Sequence, residues 1–79
     1  MNETFVTDML REQLTKREQM IEVVSEEIGL VRNKLATSTN KRDYISLRRD
    51  LESHEAMRRD LRGEISALRQ AIKRLEKED

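Results

Sequence analysis

A chain of 79 residues can hold one domain, of a size at which a single core is only marginally stabilising. Charged residues make up 41% of it and aromatics 3%, and sixteen basic side chains balance sixteen acidic ones, which argues against a general polyanion binder. With no Cys, disulfides and thiolate metal sites are excluded, and a reducing compartment is the expectation.

The start, Met1-Asn2-Glu3-Thr4-Phe5, lacks a basic segment followed by an apolar core, so no signal peptide is expected. No later run reaches the roughly 18 apolar residues of a membrane span, and a soluble, cytoplasmic protein without membrane contact is the default. High charge also suits disorder, but disordered chains lack a regular apolar repeat, and this one has two.

The first repeat runs through Leu14, Ile21, Val24, Ile28, Val31 and Leu35 at steps of three and four. Heptad position a then holds Leu14, Ile21, Ile28 and Leu35, and position d holds Leu10, Arg17, Val24, Val31 and Ser38. This predicts helix one over about residues 3–36, with Asn2 or Thr4 able to cap its first N–H groups. Thr37, Ser38, Thr39 and Asn40 prefer turns and caps to helix interiors, so a polar turn is expected at about 37–41. Asn40 can cap the second helix, with Asp43 favouring its positive end.

The second repeat, out of phase with the first, predicts helix two over about residues 42–77. Its a positions are Tyr44, Leu51, Arg58, Ile65 and Ile72, and its d positions Leu47, His54, Leu61, Leu68 and Leu75. One continuous helix in a parallel oligomer is the competing arrangement. It would carry Ser38 and Arg42 into the seam and expel Leu47 and Leu51, so the phase jump favours a fold-back. The expected fold is all-α, an antiparallel helical hairpin over residues 1–79. One register sets Leu35 against Leu47, Val31 against Leu51, Ile21 against Leu61, Leu14 against Leu68 and Leu10 against Ile72. The register one heptad away would bury Arg17 against Arg58, so the first is preferred.

One seam between two helices is too little for independent stability. Helix one carries a second stripe at flanking positions c and g, Val6, Met9, Met20, Val23 and Leu30, with Phe5 beside its start. The stripe skips Gln13, Lys16 and Glu27, and helix two offers only Ile45, Met57, Ala67 and Ala71 off its seam. Phe5, Val6, Met9, Met20, Val23 and Leu30 are therefore the candidate partner-binding residues. The partner is expected to be a second copy, giving a dimeric four-helix bundle. The layout resembles small helical-hairpin dimers of the RNA-binding Rop type, a likeness of arrangement that transfers no residue roles.

No catalytic, cofactor or metal constellation is legible. The chain has one His and no Gly-rich loop, and Gly29 and Gly63 fall on outer faces. Glu18, Glu22 and Glu26 lie four apart, but a carboxylate row of this kind is ordinarily a solvated face or a partner for Arg side chains. Arg17 and His54 interrupt the seam; Arg17 is expected to reach an acidic neighbour, and His54 to help fix register. Glu55 is expected to pair with Arg59 one turn on. The turn gathers Arg32, Lys34, Lys41, Arg42, Arg48 and Arg49 against Asp43, a candidate anion-binding tip. The expected function is a non-enzymatic protein-interaction module: adaptor, assembly factor or protein inhibitor. A nucleic-acid regulator acting through the basic tip is the less favoured alternative.

Overall fold

In the computed structural model the chain forms two α-helices, α1 (Asn2–Thr37) and α2 (Lys41–Lys77), folded back on each other as a helical hairpin. The backbone is described for residues 2–77 and the side chains for residues 4–77. Asn2, one of the two residues expected to cap α1, thus has its side chain outside the described set, and Thr4 lies within the helix.

The turn needs no glycine. No residue around it has positive φ, and three residues, Ser38, Thr39 and Asn40, suffice. The Ser38 N–H donates to the Leu35 carbonyl at 3.3 Å, tightening the end of α1. The Thr37 hydroxyl reaches back to the carbonyls of Asn33 and Lys34. Asn40 caps α2 twice: its Oδ1 accepts the Arg42 N–H at 2.9 Å, and its carbonyl accepts the Tyr44 N–H at 2.9 Å. The first is the side-chain cap that asparagine favours, and the second is the first bond of the helix itself. Asp43 follows in the first turn, where a carboxylate suits the helix dipole.

The core is a single file. Val24, Ile28, Val31, Leu51 and Leu61 form its buried centre, with Ile21, Leu35 and Leu47 packed against it, and Ile65 and Ile72 are buried further along α2. Only Ile28, at 1% exposure, is fully enclosed among the described residues. Leu10, Leu14, Leu68 and Leu75 are half-buried. Tyr44 corrects the seam expected from the sequence, since 48% of it is exposed. The register sets it level with Ser38, which lies beyond the end of α1 and has too short a side chain to cover a ring.

Four of the ion pairs among the described residues cross the hairpin, and three of them, along one edge, fix the register. Arg11 pairs with Glu76, Arg69 with Glu18 at 3.0 Å, and Arg32 with Glu55 at 3.6 Å. All six residues occupy position e, and partners rise through α1 as they fall through α2, in the register that opposes Leu35 to Leu47. Sliding by one heptad toward the rejected alignment would set Arg11 against Arg69 and Arg32 against Arg48. Sliding the other way would oppose Glu18 to Glu76 and Arg32 to Arg62. Each exposed pair is worth only about 0–1 kcal/mol. Their effect lies in the like charges that every slipped alignment would bring together. Glu55, expected to pair with Arg59, is taken by Arg32 instead.

The hairpin measures 59 × 14 × 13 Å, with a radius of gyration of 17.8 Å. A compact domain of this length would have a radius of about 12 Å. Two helices side by side leave most of each helix circumference uncovered, and that uncovered surface is where any function must lie.

Candidate interaction surface

The two long edges of the hairpin differ. On the e edge the ion pairs arch over the seam and close it. The opposite edge is formed by the g positions, Val6, Gln13, Met20, Glu27 and Lys34 on α1 with Asp43, Asp50, Met57, Glu64 and Ala71 on α2. One ion pair reaches this edge, Arg17 of the seam with Glu64 at 3.0 Å, while Val6, Met20, Met57 and Ala71 carry no charge. Position c of α1 continues the apolar surface outward through Met9, Val23 and Leu30. All six residues named as partner-binding candidates are exposed: Phe5, Val6, Met9, Met20, Val23 and Leu30. Val23 and Met20 are more than half exposed, at 59% and 51%. Together with Lys16, Gln19 and Val24 they line a shallow depression on the outer face of α1. Met57 on α2 is exposed as well.

Polar interruptions of the seam are satisfied locally. Arg17 turns out of it, donating through Nε to Glu64 Oε2 at 3.0 Å and through Nη1 to the Gln13 side chain at 2.6 Å and its carbonyl at 3.3 Å. Arg17 thus pairs across the hairpin, with Glu64 of α2. His54 folds back along α2, its Nδ1 lying 2.7 Å from the Asp50 carbonyl oxygen, a geometry in which Nδ1 carries the hydrogen. Both remain half-buried, as does Arg58. They form a wet waist across the middle of the hairpin, with His54 and Arg58 opposite Ile28 and Val24 of the buried centre and Arg17 opposite Ile65 beyond it. Of the carboxylate row, Glu18 is the Arg69 partner. Among the described residues no three His, Asp or Glu side chains lie close enough to hold a metal ion.

The chain matches no family model, no curated protein and no solved structure. What the surface can do must therefore be read from its own chemistry.

The basic residues at the turn are brought to one end but not to one face. All six lie within about 12 Å of the turn along the helix axes, at 1.5 Å per residue. Arg32, Lys41 and Arg48 share the e edge, Lys34 lies on the g edge, and Arg42 and Arg49 point outward. Two are engaged: Arg32 by Glu55 at 3.6 Å and Arg48 by Glu52 at 4.0 Å. Lys34 lines a shallow depression with Thr37, Ser38, Asp43, Ser46 and Leu47. The sequence pattern missed two features here. Tyr44 is an exposed aromatic beside these cations, and Met57 of α2 is an exposed apolar side chain on the g edge, the edge to which Val6 and Met20 of α1 belong. The second was recoverable from the heptad letters alone, by comparing which residues fill e and which fill g.

Among the described residues no helix is long and apolar enough to cross a membrane.

Proposed function

We propose that this chain is a non-enzymatic interaction module, a helical hairpin that self-associates through the outer stripe of α1 and offers the resulting bundle to another protein. The observation that carries this is the exposed apolar stripe of α1, Phe5, Val6, Met9, Met20, Val23 and Leu30, which lies away from the three ion pairs of the e edge. A polar-all-round hairpin would need no companion, whereas this one leaves nine large hydrophobic side chains exposed among the described residues. Area points the same way. The chain exposes 6395 Å², against about 5,000 Å² for a compact monomer of its mass. The excess of roughly 1,400 Å² exceeds the ~800 Å² that each partner contributes to a standard interface.

Light scattering coupled to size exclusion tests the proposal. The expected result at micromolar concentration is a mass about twice the 9.4 kDa of one chain, with a melting temperature that rises with protein concentration. Met20→Glu with Val23→Glu should return the particle to one chain. A monodisperse wild-type monomer would overturn self-association.

Exposed Tyr44, with Lys41 and Arg42 beside it in the first turn of α2, favours a second function, anion or nucleic-acid binding at the tip. Base stacking needs an accessible ring, which this tip has. A mobility shift at low salt, abolished by changing Lys41, Arg42, Arg48 and Arg49 to Gln, is the expected sign of it. No retardation of DNA or RNA at low salt removes this function.

A further inference from the structure

The residues that interrupt the α1 stripe are as informative as those that make it. Read along positions g and c, the stretch from Gln13 to Leu30 runs Gln13, Lys16, Met20, Val23, Glu27, Leu30. Lys16 and Glu27 are equidistant from the centre of the Met20–Val23 pair. Laid antiparallel on a copy of itself, the stretch therefore sets Met20 against Val23 twice at the centre, Lys16 against Glu27 twice beside it, and Gln13 against Leu30 at the ends.

Resting on the self-association proposed above, we infer that the occupant of the α1 stripe is a second copy of this chain, docked antiparallel, with Lys16 of each copy against Glu27 of the other. Charge complementarity selects this arrangement. A parallel copy would face Lys16 with Lys16 and Glu27 with Glu27. An antiparallel copy shifted by one heptad matches Val6 with Leu30 but sets Met9 against Glu27, Gln13 against Val23 and Lys16 against Met20, an apolar side chain opposite a polar one in three layers out of four. Shifted by one heptad the other way, it sets Val23 against Glu27 in both layers and Lys16 level with Lys34. A shift of two heptads in the first direction matches Val6 with Val23 and Met9 with Met20. It also brings the two Lys16 ammonium groups within about one turn of each other at the symmetry axis and leaves Glu27 outside.

Glu27 also lacks a partner at home. Among the described residues it pairs with no cation, and the nearest g residue across the hairpin in this register is the uncharged Met57. Lys16 pairs only with Glu12, at 3.5 Å, in an exposed contact along its own helix. Lys16 from a second copy supplies the missing positive charge beside Glu27.

The geometry closes. At 3.6 residues per turn the centre of the c and g positions lies about 110° round α1 from the seam. The two-fold axis of an antiparallel pair runs perpendicular to the helices, so it keeps both α2 helices on the same side. The result is a four-helix assembly joined through its two α1 helices, with both α2 helices on one side, the g edges (Met57, Asp50 and Glu64 among them) turned inward and the ion-paired e edges turned outward. An isologous contact of this kind ends at two copies and does not propagate.

The test uses charge reversal in the full-length chain, followed by sedimentation equilibrium at low ionic strength, where exposed pairs are least screened. Lys16→Glu alone and Glu27→Lys alone each place like charges in both symmetric layers, and each should weaken self-association about tenfold or more. Mixing the two single variants should restore wild-type affinity, since a mixed pair has two acidic side chains on one copy facing two basic ones on the other. The double reversal K16E/E27K should also associate as wild type does. Recovery on mixing also shows that the single variants still fold. If Glu27→Lys associates as well as wild type, or mixing restores nothing, the antiparallel docking is wrong while self-association stands. If wild type never associates, both fall together.

Discussion

Ile28→Ala should cost about 3–4 kcal/mol, the largest loss of any single truncation in this chain. Among the described residues Ile28 is the one side chain at 1% exposure, flanked along its helix by Val24 and Val31, with Leu51 of α2 in the same buried cluster. A cavity there has little means of collapsing, because the file of core residues is one side chain wide and both helices are held at their e edge. For a chain of this length the whole folding free energy is roughly 4–12 kcal/mol, so this one change removes a large part of it. The melting temperature should fall by on the order of 15 °C at fixed protein concentration. Leu35→Ala, at the half-buried end of the seam, is the control and should lose less than half as much. Circular dichroism at 222 nm during thermal and urea unfolding reads both. Equal losses at the two positions would mean that no centre exists and that the seam is uniformly weak.

Most of the backbone was legible in the sequence because the hairpin is made of local signals. The phase jump between Leu35 and Leu47 placed the turn, and Asn40 with Asp43 marked the start of α2. Periodicity ceased to inform where the facing helix ran out. Tyr44 satisfies the heptad but meets only Ser38, and a pattern on one helix carries no measure of where its partner ends. The tip illustrates the same limit from the other side. Six basic residues close in sequence were expected as one patch, yet helical geometry spreads them over the e edge, the g edge and the outer face. The ion-pair series was hidden for a different reason. Arg11, Glu18 and Arg32 are ordinary surface charges in α1, as are Glu55, Arg69 and Glu76 in α2, and the complementarity exists only when both helices are read together in one register. Once that register is fixed, the difference between the edges follows, and with it the choice of which face is left for a partner.

Replacing both polar residues of the seam, Arg17→Leu with His54→Leu, should stabilise the hairpin by about 2 kcal/mol while leaving its register unchanged. The register sets Arg17 against Ile65 and His54 against Ile28, so each substitution puts a leucine beside a buried isoleucine. What is lost is small. The Arg17–Glu64 pair is well exposed on its acidic side, with 52% of the Glu64 side chain accessible, and solvent screening reduces its worth to a fraction of a kcal/mol. The His54 bond to the Asp50 carbonyl costs little to lose, because that carbonyl remains available to the helix. Polar seam residues are often retained because they forbid alternative alignments, and here the rejected alignment is the one that would oppose Arg17 to Arg58. Removing Arg17 lifts that particular penalty. The e-edge pairs nonetheless keep slipped alignments costly, since Arg11 would still meet Arg69 and Arg32 would still meet Arg48. The double variant should therefore unfold at higher urea with the same slope, and its amide spectrum should show a single set of resonances. Two sets would assign register control to the wet waist and not to the charged edge. No gain in stability would mean that the waist is as well packed as the apolar centre, and that its half-exposed arginine and histidine are not a weakness of the fold.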